Sequence, residues 1–426
     1  MDVQAGTEDA QESGRSCTLS FTSRLVLFTA TLCIGSVSGA EPIPTPKPFF
    51  VTITGKSPQV HLQPGSDSPE VGRLMKGTST QATACLPDCT TPNAWVQLGA
   101  DGFIGLDQLT LESALAGNPM VPRVETLWYG KVGKNGIRIF KEPRKNSRLV
   151  SRERINREMA FFPNRDLRDG GWLERAEGGF VRVRPVKMLT PSPFQGLARP
   201  SLPMGFLVRD LRMKMPGRPT PLQRYQRVQV RKVSGRVVDT DKGTLPRSSL
   251  RIISWKNPPH RVPDGAKWVF VDLEQQTLTA YEGESAVYAT LISSGKKSRD
   301  SETHVGLFQV EYKLAFSDMH GEPEAPYAVD RVPDVLFYNQ DEGLHGAYWH
   351  DRFGLPMSHG CVNLSLADAH WLFAWAPPVL PSSWVSITPR AAGLTSLWVY
   401  IQRRHGGAES DSELRRDQYN WQIQPD

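Results

Sequence analysis

The chain has 426 residues, with 50 Lys and Arg against 44 Asp and Glu, for a formal net charge of +6. That length exceeds one ordinary core, so two to four domains are expected. With 39% hydrophobic residues, 36 glycines and 34 prolines, the composition suits a mostly β globular chain rich in turns, and no stretch beyond the N-terminus reaches the roughly 20 apolar residues of a membrane span.

Residues 1–40 read as an export signal. Arg24 precedes the apolar run 25–34, and Ser38 and Ala40 put small residues at the −3 and −1 positions of a cleavage site. An uncleaved membrane anchor is the alternative. Residues 41–48 form a stiff linker built on Pro42, Pro44, Pro46 and Pro48. Removal of the signal takes Cys17 and Cys33 and leaves Cys85, Cys89 and Cys361, an odd count that points to a free reactive thiol. Cys85 and Cys89 flank Leu86, Pro87 and Asp88. They can close a small-loop disulfide in an oxidising compartment; two free thiols or a metal pair are the other readings.

Two similar segments follow, 49–115 and 126–192. In the first, Val60, His61, Leu62 and Pro64 lead to Trp95-Val96-Gln97-Leu98 and then Gly102-Phe103-Ile104. In the second, Ile137, Arg138, Ile139 and Pro143 lead to Trp172-Leu173-Glu174-Arg175 and then Gly179-Phe180-Val181. Trp to Gly is seven residues in both. Alternating apolar residues between Gly and Pro turns predict short strands. The pattern resembles tandem bacterial Src-homology-3-like barrels, which implies binding of wall polymer or peptide; the plain alternative is a spacer.

Residues 195–264 read as a basic connecting module. Between 199 and 261 there are 15 Lys or Arg against three Asp, +12 where the whole chain is +6. Alternation over residues 225–231 predicts a strand with one charged face. This segment is a candidate for attraction to anionic envelope polymers. Nucleic acid is excluded as a partner by export and by the absence of any nucleic-acid motif.

From residue 265 the chain predicts strands at 267–273, 277–281 and 286–292, with a turn at Ser293-Ser294-Gly295 and a loop at Thr303-His304-Val305-Gly306. Ser365 caps a helix through Trp375, stopped by Pro377 and Pro378. His370 is expected to pack on that helix. A last strand spans 398–401, and 403–426 is a polar tail. The chemistry concentrates between His345 and Asn363. Cys361 lies 16 residues after His345 and follows Ser358-His359-Gly360. A thiol becomes a strong nucleophile only as thiolate, so it needs a proton acceptor or a positive field. Gly360 permits close backbone approach, so that main-chain N–H groups can face a developing oxyanion.

His345, a 12-residue spacer that begins with Gly346, and then Ser358-His359-Gly360-Cys361-Val362-Asn363 resemble the signature of the L,D-transpeptidase (YkuD-type) catalytic domain. The resemblance covers 265–402. It departs at His304, where the family usually has proline. It implies a β-sandwich with one or two short helices, preceded by the two small barrels. It also implies an exported enzyme of the periplasm or cell wall that acts on peptidoglycan stem peptides, and no metal or organic cofactor. By resemblance Cys361 is the nucleophile and His345 the general base, held by the Gly346 carbonyl. His359 and Gly360 belong to the oxyanion region, and Ser358, Asn363, Trp349 and Tyr348 contact substrate. Two rivals remain: a carboxypeptidase that passes the same acyl-enzyme to water, and a non-catalytic wall-binding protein. A zinc site at His345, His350 and His359 lacks the usual ligand spacing.

Overall fold

The computed structural model describes residues 48–99, 102–112, 127–132, 136–153, 157–163, 171–213, 220–296, 298, 301–321 and 327–403. The export signal, most of the proline linker and nearly all of the polar tail lie outside the described residues. Among those described the architecture is mostly β, with one α-helix, Leu366–Trp375, and none is part of a helix long and apolar enough to cross a membrane.

The two similar segments have matching strand pairings. In the first, Phe49–Ile53 pairs with Ser79–Ala82 and with Leu109–Glu112. In the second, Trp128–Val132 pairs with Arg157–Phe161 and with Val186–Leu189. The hairpin Trp95–Gln97 with Phe103–Gly105 is matched by Trp172–Glu174 with Phe180–Arg182. The alternation seen in sequence puts Val60, Val96 and Ile104 into one core and Ile139, Leu173 and Val181 into the other. Every one of these six is fully buried.

The basic segment holds a third copy of the pattern, which the sequence reading treated only as a connector. Met204–Leu207 pairs with Arg227–Ser234 and with Leu250–Ile253. Val237–Thr240 and Gly243–Pro246 form its hairpin. A 3₁₀ turn, Arg247–Ser249, precedes the last strand, as Leu106–Gln108 does in the first copy. Along Arg227–Ser234, Val228 and Val230 are buried while Arg227 and Arg231 are exposed, the expected charged face.

Residues 265–402 form two sheets with a shared core. One sheet runs Leu197–Ala198, Ser285–Leu291, Thr277–Glu282, Lys267–Asp272, Trp398–Gln402, Gly306–Gln309. The other contains Tyr312–His320, Ala328–Asn339, Glu342–Gly346 and Val362–Leu364. Val269, Val271, Leu278 and Ala280 of the first meet Leu336, Leu344, Val362 and Leu364 of the second, with Leu372 of the helix between them.

Polar groups fix the helix at both ends. Ser365 Oγ accepts from the Asp368 amide at 3.1 Å, the N-cap expected from sequence. The buried Asp368 carboxylate accepts from the Gly196 amide, Tyr288 Oη and Thr290 Oγ1 at 2.6–2.8 Å. At the other end Lys313 Nζ, wholly buried, donates to the carbonyls of Phe373, Ala376 and Pro378 at 2.6–2.8 Å. It thereby satisfies acceptors that a helix terminus leaves unpaired. Two expectations are corrected. Ser293 and Gly295 are not turn residues: they bridge Asn363 and Ser358. His370 is exposed, with Nδ1 3.5 Å from Asp334, so it does not pack in the core.

Candidate active site

Cys361 is the last residue before Val362–Leu364, which runs parallel to Glu342–Gly346 in register Leu344↔Val362 and His345↔Asn363. A parallel pair needs a crossover of about a dozen residues or more, and the spacer after His345 supplies it. The register carries the thiol to the start of the strand that bears His345.

His345 is 2% exposed, and its Nδ1 lies 3.1 Å from the Gly346 carbonyl oxygen. A carbonyl only accepts, so Nδ1 carries the ring proton and Nε2 keeps its lone pair. Burial lowers the His345 pKa to about 4, helped by repulsion from His350 and opposed by the Gly346 bond. Cys361 is a half-buried free thiol whose Sγ is 3.5 Å from the Asp341 carbonyl oxygen. Burial pushes its pKa up to about 11; Glu342 and Asp341 add to the rise, while the amides of Gly343 and Cys361 itself oppose it. At neutral pH the pair therefore rests as thiol and neutral imidazole, not as an ion pair.

The loop before Cys361 is fixed by local geometry. Gly360 sits at φ +137°, a conformation that side chains disfavour, and a Cβ there would lie 3.2 Å from Glu342 Oε1. Ser358 Oγ donates to the Cys361 carbonyl and accepts from the Gly360 amide at 3.3 Å. Thr303 Oγ1 donates to the Gly360 carbonyl at 2.5 Å and accepts from the Gly295 amide at 2.8 Å.

The remaining sequence candidates separate. Trp349 is half-buried, its ring 5.9 Å from that of His345. Asn363 is buried, its side-chain amide nitrogen 2.9 Å from His350 Nε2, and its Oδ1 has no hydrogen-bond partner. His359 is exposed and its ring stacks on Tyr327 at 5.0 Å. Tyr348 is a correction: it is 1% exposed, stacks on Tyr129 at 3.9 Å and donates to the Asp330 carbonyl at 2.7 Å. Packing against the second repeat takes it out of any open cleft. Cys85 and Cys89 are joined as a disulfide.

Sequence reasoning missed Glu342. Its Oε1 accepts from the His304 amide at 3.2 Å and lies 3.2 Å from His304 Nδ1, while Oε2 accepts from Asn339 Nδ2 at 3.1 Å. The loop that lacks the family's proline is thus tied to a carboxylate beside the thiol. An acid three residues before His345 was the available signal. Among the described residues, no three His, Cys, Asp or Glu side chains are placed to share a metal ion.

Residues 266–387 match the family model of the YkuD L,D-transpeptidase catalytic domain. That segment is an L,D-transpeptidase catalytic domain. A putative L,D-transpeptidase, YciB of Bacillus subtilis (strain 168), is 29% identical over 120 residues, 26% of this chain. This chain spans 61% of the length of that curated relative. An L,D-transpeptidase structure from Xylanimonas cellulosilytica DSM 15894 is 25% identical, covering 34% of this chain and 65% of that one, with a TM-score of 0.24. An L,D-transpeptidase solved in complex with imipenem is 18% identical, covering 39% of this chain and 66% of that one, with a TM-score of 0.26.

Proposed function

We propose that this protein is an exported L,D-transpeptidase that cross-links or modifies peptidoglycan through a cysteinyl thioester. The observation that carries the reading is the His345 ring, held by the Gly346 carbonyl so that Nε2 keeps its lone pair, on the strand paired with the one that follows Cys361. The Cys361 thiol gives its proton to His345 Nε2 as the sulfur attacks the carbonyl carbon at the third residue of a stem tetrapeptide. The carbonyl becomes a tetrahedral oxyanion. The C–N bond to the terminal D-alanine then breaks, and the leaving amine takes the proton back from His345. A second stem's amine attacks the thioester and releases Cys361 with the cross-link made. Because thiol and imidazole rest neutral, deprotonation accompanies attack rather than preceding it.

The backbone around Gly360 and Cys361, with His359 beside it, stabilises the oxyanion; loss of one such donor costs about 10²–10³ in rate. Trp349 and Asn363 contact the stem peptide, and the unpartnered Asn363 Oδ1 supports that role. The hydrolase alternative differs only in the acceptor, water in place of an amine.

Exposure to a stem tetrapeptide or a carbapenem, read by intact-protein mass spectrometry, tests the assignment. Wild type should gain one adduct mass, Cys361→Ala none, and His345→Ala should acylate far more slowly while staying folded. An adduct that persists in Cys361→Ala sinks the proposal. The rate should hold from neutral pH downward and fall only as pH drops through about 4, where His345 becomes protonated and loses its lone pair. A fall through the ordinary histidine value of about 6.5 would place the base elsewhere.

A further inference from the structure

A cleft of about 630 Å³ lies between the third repeat and the first catalytic sheet, lined among others by Arg236, Arg247, Ser248, Arg251, Glu274 and Gln275. Three of those six are guanidiniums against one carboxylate, Glu274, whose charge acts on Arg251. Two are held in place by groups that carry no charge. Arg247 donates from Nη2 to Gln275 Oε1 at 3.0 Å and from Nη1 to the Leu250 carbonyl at 3.3 Å. Arg251 donates from Nε to the Gly354 carbonyl at 2.8 Å and from Nη1 to the Leu250 carbonyl at 3.1 Å. A guanidinium has five N–H donors, so each retains three after these bonds. Fixed, partly unspent guanidiniums that outnumber the one carboxylate beside them are what bidentate recognition of a carboxylate or phosphate requires. Burial and then the like charge of Arg247 lower the Arg251 pKa, against the pull of Glu274, and a bound anion would raise it further.

We infer that this cleft is a binding site for a peptide that carries two or more free carboxylates. Its volume exceeds what a single phosphate fills. Ser248 and Gln275 add a hydroxyl and an amide that suit a peptide backbone. The cleft also touches the catalytic loop. Pro356 and Gln276 complete its wall, Gln276 Nε2 bonds Ser294 Oγ at 2.6 Å, and the Ser294 carbonyl accepts from the amides of Met357 and Ser358. A peptide in the cleft would sit behind the Ser358–Cys361 segment. In the context of the proposed function, on which this identification of the ligand rests, the source is a stem peptide of the wall, held by its carboxylates rather than by its scissile bond.

The test uses the full chain and a probe that cannot be turned over: the tripeptide L-Ala-γ-D-Glu-diaminopimelate, which lacks the terminal D-alanine, titrated by calorimetry. Inorganic phosphate is the second probe, and Arg236→Ala with Arg247→Met the variant. Wild type should bind the tripeptide, more weakly as salt rises, and the double variant should bind at least about tenfold more weakly, the effect of losing a charged hydrogen bond. Imipenem adduct formation should be the same in wild type and variant, which shows the variant to be folded. No tripeptide binding to wild type, or equal binding to the double variant, overturns the inference. So does phosphate that displaces the tripeptide at equal concentration, since the cleft would then be a phosphate site. Absence of any imipenem adduct in wild type counts against the proposed function and leaves the anion site to be judged on the titration.

Discussion

The first and second repeats share one strand plan and use it differently against the catalytic domain. The first lends Glu70–Leu74, which pairs antiparallel with Trp384–Ile387 through Gly72↔Ile387. The second lends Arg157–Phe161, which pairs parallel with Ala328–Asn339 through Arg157↔Ala328. Both present the hydrophobic inward face that makes each unit fold, so the shared pattern specifies the unit. Docking is specified by residues at the edges, and there the two diverge: the first approaches with a glycine, the second with charges. Asp330 receives Arg157 Nη2 at 2.7 Å and Arg175 Nη2 at 3.2 Å, and all three are largely buried.

The charged junction should be the most sensitive. Asp330→Ala leaves two guanidiniums without their partner, and breaking such a buried pair typically costs about 3–5 kcal/mol. Denaturant unfolding of the full chain should register a loss of that size. A loss under about 1 kcal/mol would show the junction to be solvated like a surface ion pair. The glycine junction comes next. A Cβ on Gly72 would meet the Ser386 carbonyl and the Trp384 ring at 2.4 Å. Gly72→Ala should cost about 3 kcal/mol, at the upper end of overpacking, with the first repeat becoming sensitive to protease before the rest. A neutral result would mean that this edge shifts freely.

Much of this was legible in the sequence, for reasons that mark where legibility ends. The Trp-to-Gly spacing and the alternation reported the first two units because the pleat has a period of two. The third unit keeps that alternation at Val238 and Leu245 but has Val237 where the others place tryptophan, so the marker was lost while the packing survived. Cys361 and His345 stood out as candidates because Ser358–Asn363 is contiguous and His345 precedes it by a short spacer. Glu342, Thr303 and Asp368 did not, because their partners are set by pairings between strands distant in sequence. Tyr348 was misread for the same reason: adjacency to the motif says nothing about Tyr129, more than two hundred residues away.

A further difference between the copies is covalent. The first has the Cys85–Cys89 disulfide, with a separation of four residues. So small a loop constrains the unfolded chain little, and loop-closure entropy sets the contribution at about 2 kcal/mol or less. Replacing both with serine should lower the unfolding temperature slightly and leave imipenem acylation at Cys361 unchanged. A large fall in acylation would instead tie the loop to the active site.

The smallest expected effect is also the closest comparison. His61 and Trp95 meet edge-to-face with centroids 5.3 Å apart at 86°, and Phe140 and Trp172 meet with the same distance and angle. The repeat has kept the geometry while changing one ring, which fits a contact set by shape more than by chemistry. Trp95→Leu and Trp172→Leu should each lose about 1 kcal/mol of aromatic pairing while keeping an apolar side chain in place. Arg182 lies over the Trp172 ring at 4.1 Å in the second copy, an exposed-type cation–π contact worth about 0.5–1 kcal/mol. The second substitution should therefore cost more than the first, and Arg182→Gln should erase the difference in thermal unfolding. If Trp95→Leu proves the costlier, the histidine ring of the first copy is doing more than filling the place of Phe140.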